Sequence, residues 1–163
     1  DFGQCAISNQ PSFHIPWIYA ELDMPEKTEY WLEKLCSAFS WQEDGFPGDE
    51  DQGGMSSWYV LSALGIYAVC PGTDQYVLGS PIFRKATITM ESGAKFVIEA
   101  EDNSLDNVYI ESAQLNGEAL ERNWISYDEI IKGGKLRFKM SAEPNKKRCT
   151  GKDAAPFSLS KPL

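Results

Sequence analysis

The feature that most constrains this chain is the run Gly48-Asp49-Glu50-Asp51-Gln52-Gly53-Gly54, followed at once by Met55-Ser56-Ser57-Trp58-Tyr59-Val60-Leu61-Ser62-Ala63-Leu64. Three consecutive carboxylates stand between glycines, and helical spacing carries Trp58, Tyr59, Val60, Leu61, Ala63 and Leu64 around almost the whole circumference of the next helix. A helix apolar on nearly all sides belongs inside a larger body. Like charges beside such a wall repel and lose hydration. The crowding is explained if something uses the negative charge: a metal, a cation-like sugar transition state or a water to be deprotonated. The plainer alternative is a solvated acidic loop that favours the positive end of the following helix.

The rest of the first half is also helical in pattern. Pro11-Ser12 to Glu21 reads as a short helix with Ser12 as N-cap and Phe13, Trp17 and Ala20 on one face. Asp23-Met24-Pro25-Glu26 reads as a capping signal with Asp23 as N-cap. It opens a helix to about Ser40, with Leu32, Leu35, Cys36 and Phe39 as its buried stripe. Residues 41–51 form an acidic loop broken by glycine and proline. The helix from Ser56 or Ser57 through Leu64 ends at Gly65 as C-cap, and Ile66 to Ser80 is turn-rich.

Beyond Pro81 the pattern changes to short alternating runs. Ala86–Met90 and Lys95–Ala100 flank a Ser92-Gly93 turn, a hairpin signal. Val108–Leu115 runs into Asn116-Gly117, the strongest short hairpin turn. Asp128–Ile131 reads as one helical turn and Leu136–Met140 as a final strand. The polar tail from Glu143 is expected to be extended or poorly ordered. The expected fold is therefore α+β: about three helices, then five or six strands, with segments 1–80, 81–142 and 143–163. So few helices cannot enclose their own aromatic surface, so the chain is expected to be part of something longer or to pack on a second chain. Its start, Asp1-Phe2-Gly3, is neither an initiator Met nor a signal peptide and fits a processed chain or a piece.

The formal net charge of -9 argues against nucleic acid and anionic membrane as partners. No apolar run approaches the ~20 residues of a membrane-spanning helix. The four cysteines, Cys5, Cys36, Cys70 and Cys149, have no C-x-x-C spacing, which argues against a zinc site and gives no disulfide pairing. Cys36 and Cys70 lie in apolar contexts and read as buried thiols.

Three groups of residues can carry chemistry. In an extended loop, residues two apart share a face, which would put Asp49 and Asp51 together and Glu50 elsewhere. Two carboxylates on one face can hold a water, bind a hard cation or act as a base. Asn9-Gln10-Pro11-Ser12-Phe13-His14 joins two amides, a hydroxyl and the only histidine; such groups bind sugar hydroxyls or calcium, and the alternative is an N-cap with a core histidine. Trp17, Trp31, Trp41 and Trp58, with Tyr19, Tyr30 and Tyr59, are either core or stacking faces for sugars. No G-x-S-x-G, G-x-G-x-x-G or P-loop pattern occurs, so serine hydrolase and nucleotide-binding readings have no motif behind them.

The run from Gly48 to Tyr67 resembles the G-[ND]-[ED]-D-x-G-x-M-S-[AS]-W-Y-V-x-S-A-L-G-[FI]-Y segment of glycoside hydrolase family 92, calcium-dependent inverting exo-α-mannosidases. The likeness continues through Val69-Cys70-Pro71-Gly72, Tyr76–Pro81, Val108-Tyr109-Ile110 and Leu115-Asn116-Gly117. Asn9–His14 resembles the family's N-E-P-S-x-H. The resemblance implies the last helices and active-site loop of an (α/α)6 barrel and a β-rich closing segment. It implies Asp51 as general base, Asp49 as its helper, His14 and Gln52 as substrate-binding residues, and Asn9 and Gln10 at the Ca2+. It further implies a mannose-containing glycan, such as an N-glycan or mannan, as substrate and a secreted, periplasmic or cell-surface location. The general acid would come from the N-terminal remainder of the enzyme, so this chain alone is expected to be inactive. Gln10 replaces the family's usual Glu, which removes a charge at the calcium. Two other readings fit the same residues: a carbohydrate-binding or pseudo-enzyme remnant, and a structural subunit completing another chain's core.

Overall fold

The computed structural model describes residues 5–151 and 153–159. Its first half is helical, but the first helix is not the one expected. Two 3-10 stretches, Gln10–Ser12 and Ile15–Leu22, replace a single α-helix, and Asn9 rather than Ser12 caps the first. Pro16 at the start of the second stretch has no N–H to give, which breaks the chain into two tighter turns. Phe13, Trp17 and Ala20 are all buried, as their spacing requires.

Helix α1 spans Pro25–Cys36 and is shorter than expected. Pro25 supplies a preset first turn, Glu26 lies in that turn and Lys34 in the last, an arrangement that complements the helix dipole. Its N-cap is Met24, not Asp23. Asp23 is already used: at φ 57° it ends the preceding 3-10 stretch, its N–H donating to the Tyr19 carbonyl. Helix α2 spans Gly54–Ala63 and stops where Gly65 takes φ +76°. A side chain at 65 would meet the Gly79 carbonyl oxygen at 2.7 Å, so glycine there permits close approach as well as the turn.

The turn-rich segment before Pro81 also holds two strands that its sequence does not announce. β1 (Ile66–Tyr67) and β2 (Gln75–Leu78) pair antiparallel, and β7 (Trp124–Ser126) joins the other edge of β2. Both are short, and the second partner lies far along the chain, so no local alternation marks them. The remaining strands are β3 (Lys85–Thr89), β4 (Lys95–Glu101), β5 (Tyr109–Leu115), β6 (Glu118–Ala119) and β8 (Gly134–Ser141). They form a five-stranded sheet in the order β3-β4-β8-β5-β6, antiparallel throughout except between β4 and β8. Both expected hairpins are present, and Asn116 and Gly117 take the positive φ their turn demands. Helix α3 (Tyr127–Ile131) is the expected single turn, closed by a capping box between Ser126 and Glu129. Helices and two sheets together make an α+β fold.

Two apolar clusters hold these layers. One joins Phe13, Trp17, Leu32, Leu35, Met55 and Trp58 with β2 through Val77. The other lies under the large sheet, with Phe96, Ile98, Ile110, Leu136 and Phe138 at its centre and Ile66, Leu78 and Ile125 bringing in the small one. The segment after Ser141 is not the loose tail its composition suggests. Among its described residues there is no strand or helix, but Arg148, Cys149 and Ala154 are buried, and the Phe157 N–H donates to Gln75 at 2.7 Å. All four cysteines are free thiols; Cys36 is buried as expected, whereas Cys70 is only half-buried. Among the described residues no helix is long and apolar enough to cross a membrane.

Candidate active site

The 48–54 loop and the segment around Asn9 meet in space, and Gly48 lets them approach closely. A Cβ at position 48 would lie 2.3 Å from the Ser8 Cβ and 2.4 Å from its Cα. At Gly54, a Cβ would lie 3.5 Å from both Cγ and Nε2 of Gln10. One turn further along α2, the buried Trp58 Nε1 donates to the Phe13 carbonyl at 2.9 Å, and the two rings sit 6.1 Å apart. The first turn of α2 therefore carries the acidic loop on one side and fixes the amide-bearing segment on the other.

The loop itself is held by Glu50. Its carboxylate accepts from the Gly53 and Ser56 backbone N–H groups and from the Ser56 hydroxyl. Those bonds, the Ser56 hydroxyl first, pull the Glu50 carboxyl below its ordinary value. Glu50 thus fills the plainer role foreseen for this loop, negative charge at a helix N-terminus. A carboxylate six residues before a serine in the first turn of the next helix is the sequence signal for this bond set.

Asp51, Gln52 and Gly53 follow with φ of 52°, 60° and 94°. Three successive left-handed residues are unusual, and each non-glycine costs about 1–2 kcal/mol. This corrects the premise that put Asp49 and Asp51 on one face. The loop is not extended at Asp51, so alternation does not apply there. Asp49, Asp51 and Gln52 are exposed, as are Asn9, Gln10 and His14. Exposure of His14 removes the core-histidine reading. Asn9 and Gln10 share the first 3-10 turn, with Asn9 Oδ1 accepting from the Gln10 N–H at 2.9 Å.

The same residues can be tested against calcium, which takes about six to eight oxygen ligands. Asn9 and Gln10 offer one amide oxygen each, and the Asn9 oxygen is already engaged. Among the described residues no group of three or more His, Cys, Asp or Glu side chains is placed to hold a metal. By themselves, then, these residues do not complete a calcium shell. A cleft of about 670 Å³ between the end of α1 and the 103–108 loop, bordered by Glu33, Ser80, Asn103 and Asp106, contains none of the site residues.

Comparison with known proteins fits this arrangement. The model of the glycosyl hydrolase family 92 catalytic domain matches residues 1–142. A curated relative, an uncharacterized secreted glycosidase of Arthroderma benhamiae, is 30% identical over 157 residues, which are 94% of this chain and 20% of that protein. Among solved structures, a family GH92 alpha-mannosidase of Bacteroides thetaiotaomicron superposes with a TM-score of 0.95 at 33% identity, covering 99% of this chain and 22% of its own. A GH92 inverting mannosidase of the same organism gives a TM-score of 0.92 at 42% identity, covering 98% of this chain and 22% of its own. The chain spans about a fifth of the length of these relatives. With the family model matched from the first residue through the last strand of the large sheet, the chain belongs to glycosyl hydrolase family 92.

Proposed function

We propose that this chain supplies the water-activating half of the active site of an inverting α-mannosidase, with Asp51 as general base and Asp49 beside it. The observation that carries this reading is the left-handed Asp51-Gln52-Gly53 turn, anchored by Glu50 and followed by Gly54, which lies against Gln10. Backbone strain of this kind persists only where the surroundings enforce it, and it clusters at active sites. Inverting hydrolysis places a base and an acid on opposite faces of the sugar, roughly 6.5–9.5 Å apart, with a water between base and anomeric carbon. An exposed carboxylate on a rigid turn suits the base: it takes the water's proton as oxygen attacks the anomeric carbon and the glycosidic bond breaks. The acid that protonates the leaving oxygen comes from the rest of the enzyme. The present chain is inactive alone in this reading, its helices completing an (α/α)6 barrel.

His14 and Gln52 contact sugar hydroxyls. Asn9 and Gln10 would offer two oxygen ligands to a calcium ion whose remaining ligands come from the rest of the enzyme, and such an ion would supply polarisation of the sugar hydroxyls. The substrate is a glycan with terminal α-mannose, and the secreted relative favours an extracellular setting. In the complete enzyme, Asp51→Asn is expected to lower kcat about 10²- to 10⁴-fold on α-mannosides, the range for loss of a general base. Near-full turnover in that variant refutes the assignment.

A further inference from the structure

Trp41 is 90% exposed, while Trp17 and Trp58 are 0% and 1% exposed. An indole offers some 150–250 Å² for burial, so leaving one in water forgoes a large stabilisation. Its loop is nevertheless tightly built. The Ser40 N–H donates to the Gly45 carbonyl at 2.9 Å, the Gly45 N–H to the Gln42 carbonyl at 3.0 Å, and the Gln42 N–H to the Ser40 hydroxyl at 3.3 Å. A Cβ at Gly45 would lie 2.1 Å from the Ser40 carbonyl oxygen, so the turn closes as it does only with glycine. The base of the loop rests on Phe39, which meets Phe46 edge-on at 5.9 Å and stacks on Trp58 at 6.0 Å. Trp58 belongs to α2, the helix that carries the candidate base on its leading loop.

Trp41, Gln42, Glu43 and Asp44 border one shallow open recess of about 550 Å³. From Gly45, where that turn closes, four residues lead to Asp49, a reach of at most about 14 Å. One exposed indole beside an amide and two carboxylates suits a neutral polyhydroxylated ring: the C–H face lies on the indole and the hydroxyls donate to the acidic neighbours. It does not suit an anion. We infer that Trp41 is a stacking platform for a sugar on the leaving-group side of the substrate, with Gln42, Glu43 and Asp44 taking its hydroxyls. The inference rests on the mannosidase reading above. An exo-acting enzyme cleaves the terminal sugar, so the remaining glycan is the part of the substrate that an exposed loop beyond the catalytic residues can meet.

The test compares the complete enzyme with its Trp41→Ala variant on α-mannobiose and on α-mannosyl fluoride, which has no second sugar. The expected result is a kcat/KM on α-mannobiose that falls about tenfold further than on the fluoride, mostly through KM, the size of one aromatic stacking contact. Trp41→Phe should restore most of the difference. Equal loss on both substrates, or no loss on either, overturns the platform. So does a melting temperature lowered by Trp41→Ala, which would mean that the indole is packed in the complete enzyme. Asp51→Asn in the same assay separates the two claims: if it stays active while the Trp41 selectivity persists, the base assignment falls and the platform stands. If the complete protein hydrolyses neither compound, calorimetric titration with α-mannobiose decides: binding abolished by Trp41→Ala supports the platform, and unchanged or absent binding refutes it.

Discussion

Arg148 donates to the buried carboxylate of Glu29, 119 positions earlier in the chain, and the Ile110 N–H donates to the same carboxylate at 3.1 Å. One glutamate on α1 thus ties the last segment of the chain and the edge of β5 to the helical half. Burial pushes the Glu29 carboxyl up, and the Arg148 guanidinium opposes that shift.

Removing one partner of such a pair leaves an uncompensated buried charge, and Arg148→Met should destabilise the chain by about 3–5 kcal/mol. Glu29→Leu combined with Arg148→Met should recover part of this. It will not recover all, because the Ile110 N–H then lacks an acceptor, at about 1–3 kcal/mol. Urea unfolding of the single and double variants measures both differences.

Gly48→Ala tests the junction between the acidic loop and the amide-bearing segment. Its Cβ would have to enter space filled by Ser8. Overpacking of this kind costs about 1–3 kcal/mol. The predicted signature is a loss of α-mannoside turnover in the complete enzyme larger than the loss of stability explains, because the displaced segment carries Asn9 and Gln10.

Glu50→Gln tests the anchor of the left-handed turn. The folded Glu50 pKa lies below its ordinary value of 4.5. The anchoring is therefore fully present above pH 4.5 and is lost as pH falls through the lower folded pKa. The melting-temperature gap between parent and Glu50→Gln should be constant from neutral pH down to about 4.5, then close in more acid solution. In the complete enzyme the variant should lose up to ~100-fold in kcat, the scale of a small misplacement of a catalytic group.

Cys36 should be chemically silent. Burial, with Glu33 adding to it, pushes its thiol up to about 12, so almost no thiolate exists near pH 8. Mass-spectrometric mapping after iodoacetamide at that pH should find Cys36 unmodified in the folded chain and modified in urea. Labelling of the folded chain at rates typical of a free cysteine would contradict the packing around α1.

What could be read from the sequence was what local spacing encodes. The Ser92-Gly93 and Asn116-Gly117 turns, the α2 helix with its Gly65 stop and the single turn at 127–131 all follow from chemistry within a few residues. The misses come from partners far away. β2 depends on Asn123–Ser126, and the buried tail depends on Glu29 and Gln75. The meeting of the 48–54 loop with Asn9-Gln10 was implied only by family likeness. Its physical signal lay in Gly48, whose missing side chain marks close approach to Ser8, and in a Glu50 whose value is to hold the loop.

The parallel pairing of β4 with β8 sets when this chain can finish folding. Residues 95–101 have no neighbour on that side until 134–141 has been made, and β2 waits for 124–126. Glu29 is ordered near the start yet gains its cation only at Arg148. Pairings this distant along the chain slow folding. During synthesis the early helices and the β3–β4 hairpin therefore stay open-edged and exposed to wrong partners until the last strand emerges.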